Sequence, residues 1–271
     1  AYSGGSDSAA LLHAWMRTAS PEHTIVVAYV HHGLQPEADA WAEHANNVPT
    51  LYKNAASRCE ARVLRVNLTL GPQISVEEAA RKARYAALEE LCKEFNAPLM
   101  LGHHRRDQAE TFLLQAARGA GVHGLASMPS VQKVNGVLRC HPWLRINKDD
   151  ILSYITAFKI PHVHDPSNDQ TVYARNHIRH NVLPHLRQTN PAIDTLLSRS
   201  AQHCAEAAQA LDLLAALDLE KTTGSSHALT LPEDWPAWRQ KNMIRAWAKN
   251  EHLSLSTHIL DKLISSENAT F

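Results

Sequence analysis

The chain opens on a run of glycines and serines that restricts the possible folds more than any other segment. The run reads Ser3-Gly4-Gly5-Ser6-Asp7-Ser8, and a helical pattern follows at once over residues 8–18. Two adjacent glycines reach backbone conformations that other residues avoid, so bare N–H groups can face an anion. The N-terminus of the following helix adds unpaired N–H donors and partial positive charge. The segment predicts a phosphate-binding loop, and the alternative is a serine–glycine turn that merely begins a helix.

Asp7 is the unexpected member of this loop, because bound phosphate repels a carboxylate. Its presence is explained if it holds Mg²⁺, whose charge reverses the local electrostatics. No lysine follows the glycines, so the loop is neither G-x-x-x-x-G-K-[ST] nor G-x-G-x-x-G. We expect the whole loop to bind the phosphates of a nucleotide and Asp7 to be the metal ligand. The expected phosphate ligands are Ser3, Gly4, Gly5, Ser6, Asp7 and Ser8.

Short apolar runs alternate with helical patterns after the loop. The strand-like runs cover residues 25–30, 63–68, 98–101 and 137–144, and the helical patterns cover residues 38–60, 75–95, 107–117 and 147–158. Such alternation is typical of β-α-β units in a doubly wound, mainly parallel sheet, so the predicted class is α/β. Because a strand normally precedes a phosphate loop, we expect the true N-terminus and most of the first strand to be missing.

The residue composition and spacing of the chain change near residue 190. Residues 191–220, 238–249 and 257–265 are rich in helix-forming residues with helical spacing. We therefore expect two domains: an α/β domain over residues 1–188, and a smaller all-α domain over residues 189–271.

Composition limits the functions that remain. Lysine plus arginine and aspartate plus glutamate are equal at 27 each, so any contact with nucleic acid must come from a local basic patch. Such a patch is predicted at Arg175, Arg179 and Arg187, although a solvated face explains the same charges. The apolar runs are strand-sized, far below the roughly 20 residues that span a bilayer. We expect a cytoplasmic protein with no membrane segment.

A second chemically distinctive segment follows the run at 98–101. Asp107 and Glu110 are three residues apart on a predicted helix and share a face, at a strand end where α/β sheets bind ligands. Two carboxylates on a first helical turn also suit the helix dipole, by about 0.3–1 kcal/mol each, which is a purely structural explanation. His103 and His104 directly before them favour a functional site, and the carboxylates suit an ammonium group such as that of lysine.

The opening loop resembles the S-G-G-x-D-S loop of PP-loop ATPases, which cleave ATP between the α and β phosphates and adenylate a carbonyl oxygen. Further elements resemble, in order, those of the tRNA(Ile)-lysidine synthetase family. They are V-H-H-G-L at 30–34, E-A-A-R-x-x-R-Y at 78–85, G-H-H-R-R-D-Q-A-E-T at 102–111, R-G-A-G-V-H-G-L at 118–125, D-P-S-N at 165–168 and R-N-H-I-R at 175–179.

The resemblance implies an adenine nucleotide alpha hydrolase-like PP-loop domain and an ATP-dependent carbon–nitrogen ligase. Such an enzyme uses ATP and Mg²⁺ to adenylate the wobble cytidine of an isoleucine tRNA with the anticodon CAU. L-lysine then displaces AMP at C2 and gives lysidine. By the same resemblance, the helical domain over residues 189–271 would bind the tRNA. The oligomeric state stays open, with a homodimer among the alternatives.

The resemblance also implies roles for single residues. Arg81, Arg84 and Arg175 would face the α-phosphate, and His103 would position ATP or transfer a proton. Asp107 and Glu110 would bind lysine, and His31 would contact the nucleotide. From the residues alone, Arg81 and Arg84 could form surface ion pairs, and His31 and His32 could be ordinary packed side chains.

Two positions depart from the family pattern. Arg106 stands where the family often has a first aspartate, and its guanidinium could instead face phosphate. His141 stands where an R-P-L-L element has its arginine, and Arg139 or Arg145 could substitute for that arginine.

Two alternative functions remain on the sequence. Another PP-loop tRNA-modifying enzyme, such as a thiolase, would use paired cysteines or a cluster, but no C-x-x-C joins the cysteines, which are Cys59, Cys92, Cys140 and Cys204. A non-catalytic RNA-binding relative has no need of Asp7, Asp107 and Glu110, which this chain retains.

Overall fold

The computed structural model describes residues 1–68, 75–163, 174–222, 229, 231–232, 234–253 and 255–265. These residues form two compact units. The first comprises Ala1–Gly119 and Ser127–Arg199, and the second comprises Ala120–Ala126 and Ser200–Phe271. The predicted loop, strands and candidate site all belong to the first unit.

The first unit alternates helices and strands as the sequence predicts. The strands are β1 Thr24–His31, β2 Arg58–Arg65, β3 Leu99–Met100, β4 Val131–Val134 and β5 Val137–Cys140. The helices are α1 Ser6–Thr18, α2 Ala38–Leu51, α3 Val76–Glu94, α4 Arg105–Ala117, α6 Lys148–Phe158, α7 Ala174–His177 and α8 Leu183–Thr189, with a π-helical segment at Ile178–Val182 between the last two. A short helix α5, Val122–Leu125, belongs to the second unit.

The strands are mainly parallel. β1 pairs with β2 in parallel, β3 pairs with β5 in parallel, and β4 is antiparallel to β5. The first two residues lie between the two strand groups: the Tyr2 N–H donates to Ala28 O at 2.8 Å, and the Ala1 amine donates to Met100 O at 2.8 Å. The predicted α/β class with a mainly parallel sheet is confirmed.

Hydrophobic clusters cover both faces of the sheet. Alternate residues of β1 point to opposite faces. Val27 and Tyr29 pack with residues of α1, α2 and α6, whereas Ala28 and Val30 pack with residues of α3 and of β3. This two-sided burial explains why the strands read as nearly continuous apolar runs.

Three predicted elements had wrong boundaries. The strand predicted over residues 63–68 is β2, which spans Arg58–Arg65. The helix predicted over residues 38–60 ends at Leu51, just after Pro49, and its last predicted residues belong to β2. The strand predicted over 137–144 ends at Cys140 and is preceded by β4, with the turn Asn135-Gly136 between them. Both turn residues have positive φ, 51° and 85°, as a type I′ hairpin turn requires. The Asn-Gly pair is typical of such a turn, and the sequence prediction overlooked it.

The second unit is helical where the structure describes it. It contains α9 from Ser200 onward (the helix as a whole is Ile193–Thr222), α10 Ala237–Asn250 and α11 Thr257–Ser265. Leu229, Met243, Ile244 and Leu260 form its core. None of the described helices combines the length and apolarity that a membrane crossing needs. The domain boundary at residue 188 and the binding of RNA by this unit stay predictions.

Candidate active site

The phosphate loop is held in shape by its own hydroxyl groups. The Ser3 N–H donates to Ser8 Oγ at 3.2 Å, and the Ser8 hydroxyl donates to Gly5 O at 2.9 Å. Gly4 has a φ of +81°, and an added Cβ would lie 2.7 Å from Val163 Cγ2, so both backbone and space require glycine. α1 begins directly after Gly5, which places a helix N-terminus at the loop.

The loop meets the start of α4 without an intervening side chain. A Cβ on Gly102 would lie 3.2 Å from the backbone carbon and oxygen of Asp7. Both segments therefore border one cleft of about 730 Å³. The polar and charged residues that line it include Ser3, Ser6, Asp7, Ser8, His32, Arg84, His103, Asp107, Lys148 and Arg179. The structure thus brings the two segments singled out in the sequence to one place.

Asp7 is ionised and partnered. Its carboxylate forms an ion pair with Lys148 Nζ, and its other oxygen lies 3.6 Å from His104 Nε2. Burial alone would raise the pKa of Asp7, but the nearby His104 and Lys148 side chains lower this pKa to about 2. Lys148 was not predicted, because nothing in the sequence links it to a loop 141 residues away.

The Asp7 carboxylate fits a magnesium ligand. Mg²⁺ usually takes one or two carboxylates together with phosphate oxygens and waters. Asp7 supplies one ionised carboxylate on the cleft wall, and its side chain is 33% exposed. Within the part of the chain that the structure describes, no group of three His, Cys, Asp or Glu side chains could hold a metal by itself. Oxygens of a bound polyphosphate would therefore have to complete the coordination.

His104 connects the two acidic positions of the cleft. Its ring is buried, with Nε2 facing Asp7 and Nδ1 lying 3.4 Å from Asp107 Oδ2. Its backbone N–H also donates to Asp107 Oδ2 at 2.9 Å, as one half of a capping box at the start of α4. The sequence indicated His104 only as a neighbour of His103, and it did not indicate this bridging position.

Glu110 has a different environment from the one predicted. Its side chain is fully buried, and its oxygens accept from Arg179 Nε at 2.7 Å, a second Arg179 nitrogen at 2.8 Å and Arg175 Nε at 2.9 Å. Among the described residues, Asp107 lines the cleft and Glu110 does not. The prediction that Glu110 binds lysine is not supported by this geometry, because two guanidinium groups already occupy its carboxylate.

Asp107 belongs to the same ion-pair network and also lines the cleft. Its Oδ1 is 3.2 Å from Arg175 and 3.4 Å from Arg179. Burial alone would raise the pKa of Asp107, but His104 and Arg175 lower it, so the group is a carboxylate at neutral pH. Asp107 combines negative charge with access to the cleft, as an ammonium ligand would require.

His103 is a neutral imidazole in the cleft. Burial, together with the nearby His141, Arg175 and Arg81, lowers the pKa of His103 to about 4 against the opposing effect of Asp107. Its ring centroid lies 5.0 Å from that of His141. His103 Nδ1 has no hydrogen-bond partner among the described residues. The ring therefore has an unused polar atom next to the predicted reaction site.

The predicted arginines divide between the cleft and its surroundings. Arg84 lines the cleft, whereas Arg81 is not among the lining residues and its guanidinium lies 5.1 Å from the Tyr85 ring centroid. Neither forms an ion pair with a carboxylate among the described residues, so the simple surface-pair explanation does not hold for that part of the chain. Among the described residues, no paired carboxylate neutralises their charge.

Neither proposed substitute for the family's missing arginine, Arg139 or Arg145, is among the residues that line the cleft. Arg139 forms an ion pair with Glu89 and lies 4.3 Å from the Tyr85 ring centroid. Arg106, which is also not among the lining residues, lies 3.7 Å from both Asp149 and Asp194. A contact of Arg106 with phosphate stays a prediction. His141 is itself buried, and its Nδ1 is 2.8 Å from Pro129 O.

Of the two adjacent histidines at the end of β1, the structure brings the second to the cleft. His31 Nε2 lies 3.2 Å from Asp39 Oδ1, whereas His32 lines the cleft. Of the two, only His32 is among the residues that line the cleft, although the sequence did not single it out for the nucleotide. The contact of His31 with the nucleotide stays a prediction. The D-P-S-N element at residues 165–168 lies outside the described residues.

The fold and the loop define the class of this chain. A family model described as the PP-loop domain matches residues 1–186, and the chain belongs to that family. Membership of this family implies the use of ATP.

The curated relatives are more specific. The chain is 40% identical over 250 residues to the tRNA(Ile)-lysidine synthase of Coxiella burnetii, covering 91% of this chain and 54% of the relative. It is 41% identical over 258 residues to that of Ralstonia nicotianae, covering 91% and 53%. The resemblance predicted from the motifs is confirmed. The chain spans about half the length of these relatives.

A solved structure shares the fold. The U34-tRNA thiolase NcsA from Methanococcus maripaludis, with its [4Fe-4S] cluster, matches with a TM-score of 0.61 at 17% sequence identity. The match covers 76% of this chain and 70% of that chain. At this identity the likeness concerns the fold alone.

Proposed function

We propose that this chain carries the catalytic domain of a tRNA(Ile)-lysidine synthetase. It would use ATP to adenylate the wobble cytidine of an isoleucine tRNA with the anticodon CAU and then join L-lysine to C2, releasing AMP and pyrophosphate. The observation that carries the proposal is the single cleft shared by the phosphate loop and Asp107. The similarity to curated synthases over 91% of the chain supports this choice within the family.

The first step is the transfer of AMP to the cytidine. The cytidine O2 attacks the α-phosphorus, the bond to the bridging oxygen breaks, and pyrophosphate leaves. The N–H groups of the loop and of the α1 N-terminus would hold the β and γ phosphates. Arg84 on the cleft wall, with Arg81 and Arg175 close behind, would stabilise charge on the α-phosphate. Mg²⁺ held by Asp7 would neutralise phosphate charge when bound.

The second step is the attack of lysine. The ε-amine attacks C2, and AMP leaves with the former cytidine oxygen. The ammonium form of a lysine side chain in water has a pKa of about 10.4, so it must lose a proton before it attacks. Asp107 would bind lysine through an ammonium group, and His103 would accept a hydrogen bond through its unpartnered nitrogen. Glu110 would act indirectly, by holding Arg175 and Arg179 in place.

The cysteines argue against the thiolase alternative. No C-x-x-C occurs among the four cysteines, and burial raises the pKa of Cys59 to about 11 and also raises the pKa of Cys92 and Cys140. A sulfur carrier needs a reactive thiolate, which a raised pKa disfavours. The ligation of lysine needs no thiol.

A pyrophosphate exchange assay tests the proposal. With labelled pyrophosphate, the purified protein should form labelled ATP when unmodified isoleucine tRNA is present and not when it is omitted. Exchange that is independent of tRNA would show that a nucleoside is not the group adenylated. Transfer of radioactive lysine into the same tRNA then separates lysidine synthesis from thiolation, and labelled sulfide in place of lysine is the matched control.

A further inference from the structure

Lys148 occupies an unusual place for a lysine. It is the first residue of α6, and its ammonium group forms an ion pair with Asp7 and donates to Ser6 Oγ at 3.0 Å. Its side chain is only 15% exposed. A lysine at a helix N-terminus faces the positive end of the helix dipole, which is unfavourable. Since a buried lysine is also costly, its position calls for a compensating interaction with anions.

The surroundings of Lys148 are rigidly held. Asn147, at the N-cap of α6, uses its side-chain oxygen to accept from Arg105 at 2.6 Å instead of capping the helix. Arg105 also donates to the backbone oxygen of Arg145 and to Thr195 Oγ1 at 3.1 Å. Three contacts from one guanidinium therefore fix the segment that delivers the Lys148 ammonium to the loop.

The loop itself has no cation. Phosphate loops of the G-x-x-x-x-G-K-[ST] type carry a lysine that reaches the β and γ phosphates, whereas Ser3 to Ser8 contain a carboxylate instead. Lys148 lines the cleft and touches both Ser6 and Asp7 of the loop. It is thus positioned to supply, from another element, the positive charge that the loop sequence lacks.

We propose that Lys148 is a pyrophosphate-binding residue whose ammonium group contacts the β or γ phosphate of ATP and stays with pyrophosphate as it leaves. This inference rests on the proposed function, because it assigns a further ligand to the same ATP. The contact to Ser6 Oγ would keep the ammonium at the loop when a bound ion takes over the charge of Asp7. The competing explanation is that Lys148 only neutralises Asp7.

A double-mutant cycle on pyrophosphate binding separates these explanations. Isothermal calorimetry with sodium pyrophosphate in metal-free buffer is performed on the whole chain for wild type, Lys148→Met, Asp7→Asn and the double variant. Direct contact predicts that Lys148→Met weakens binding about 10- to 100-fold in both the wild-type and the Asp7→Asn background, as for a charge-assisted hydrogen bond. Neutralisation alone predicts no loss in the Asp7→Asn background, and that result would overturn the proposal.

Controls make each result interpretable. Lys159→Met, at the exposed opposite end of α6, removes the same charge and should leave binding unchanged. Lys148→Arg should retain most of the affinity, and circular dichroism checks that each variant is folded, with Lys148→Gln replacing any Lys148→Met protein that is not. Wild-type protein that binds neither ATP nor pyrophosphate would instead refute the proposed ATP site and the proposed function with it.

Discussion

The buried carboxylate of Glu110 offers a sharp test of the site's architecture. We consider Glu110→Gln, which keeps size and one acceptor oxygen but removes the charge. In the structure this fully buried carboxylate accepts three hydrogen bonds from Arg175 and Arg179, at 2.7 to 2.9 Å. The substitution leaves two guanidinium groups without their main partner, although Asp107 remains within 3.2 and 3.4 Å of them.

The expected loss of stability follows from burial. Removing one partner of a buried ion pair costs about 3–5 kcal/mol, because the other charge stays desolvated. The Arg175 and Arg179 side chains are 26% and 28% exposed, so water recovers part of that loss. We therefore expect Glu110→Gln to reduce the free energy of unfolding by about 3 kcal/mol. Urea unfolding followed by circular dichroism measures it.

A thermodynamic cycle identifies the cause of that loss. Arg179→Met and the double variant complete the cycle with Glu110→Gln, and we expect a coupling free energy of about 2 kcal/mol. Glu43→Gln, on the exposed face of α2, is the matched control and should stay within about 0.5 kcal/mol of wild type. Additive losses, or a Glu110→Gln protein as stable as wild type but weak in lysine binding, would refute the structural role and restore the role predicted from the sequence.

Three further perturbations test the cleft. The pKa of His103 is about 4 in the folded chain, whereas a solvated histidine has a pKa of 6.5. Between these pH values the unfolded chain binds more protons than the folded chain. The contribution of His103 to stability is therefore complete above about pH 6.5 and is lost as the pH falls toward 4. Between pH 7 and pH 5, the free energy of unfolding measured with urea should therefore fall by about 2 kcal/mol more in wild type than in His103→Gln. Asp7→Asn should abolish tRNA-dependent pyrophosphate exchange while the circular dichroism spectrum stays unchanged, and retained exchange would remove Asp7 from the metal role. Gly102→Ala places a Cβ 3.2 Å from the Asp7 backbone and should weaken ATP binding about tenfold in calorimetry, whereas unchanged affinity would show that the loop yields at no cost.

Local chemistry explains what the sequence could predict. The glycine–serine loop and the apolar runs each depend on a few neighbouring residues. So does the start of α3, where Ser75 Oγ accepts from the Glu78 N–H at 3.1 Å. The errors arose where a local signal was overlooked or a boundary was ambiguous. Pro49 lies in the last turn of α2, and Asn135-Gly136 turns β4 into β5.

Contacts between distant residues explain what the sequence could not predict. Glu110 was correctly placed on a helical face with Asp107, but its partner Arg179 lies 69 residues away. Lys148 meets Asp7 across 141 residues. Spacing along the chain contains no information on such pairs. The sequence therefore indicated that Asp107 and Glu110 could both bind lysine, whereas in the structure the Glu110 carboxylate pairs with Arg175 and Arg179.

The distribution of charge suggests how the cleft distinguishes its ligands. Each carboxylate has a cationic partner: Asp7 has Lys148, and Asp107 and Glu110 share Arg175 and Arg179. Arg84 lines the same cleft without a carboxylate partner among the described residues, and its burial lowers its pKa. A polyphosphate would meet this unpaired cation and the loop N–H groups, whereas an ammonium group could approach Asp107 only by competing with arginine. An ammonium group would therefore bind more easily after a bound phosphate has attracted part of the arginine charge. Lysine would then bind after ATP, in the same order as the two proposed chemical steps.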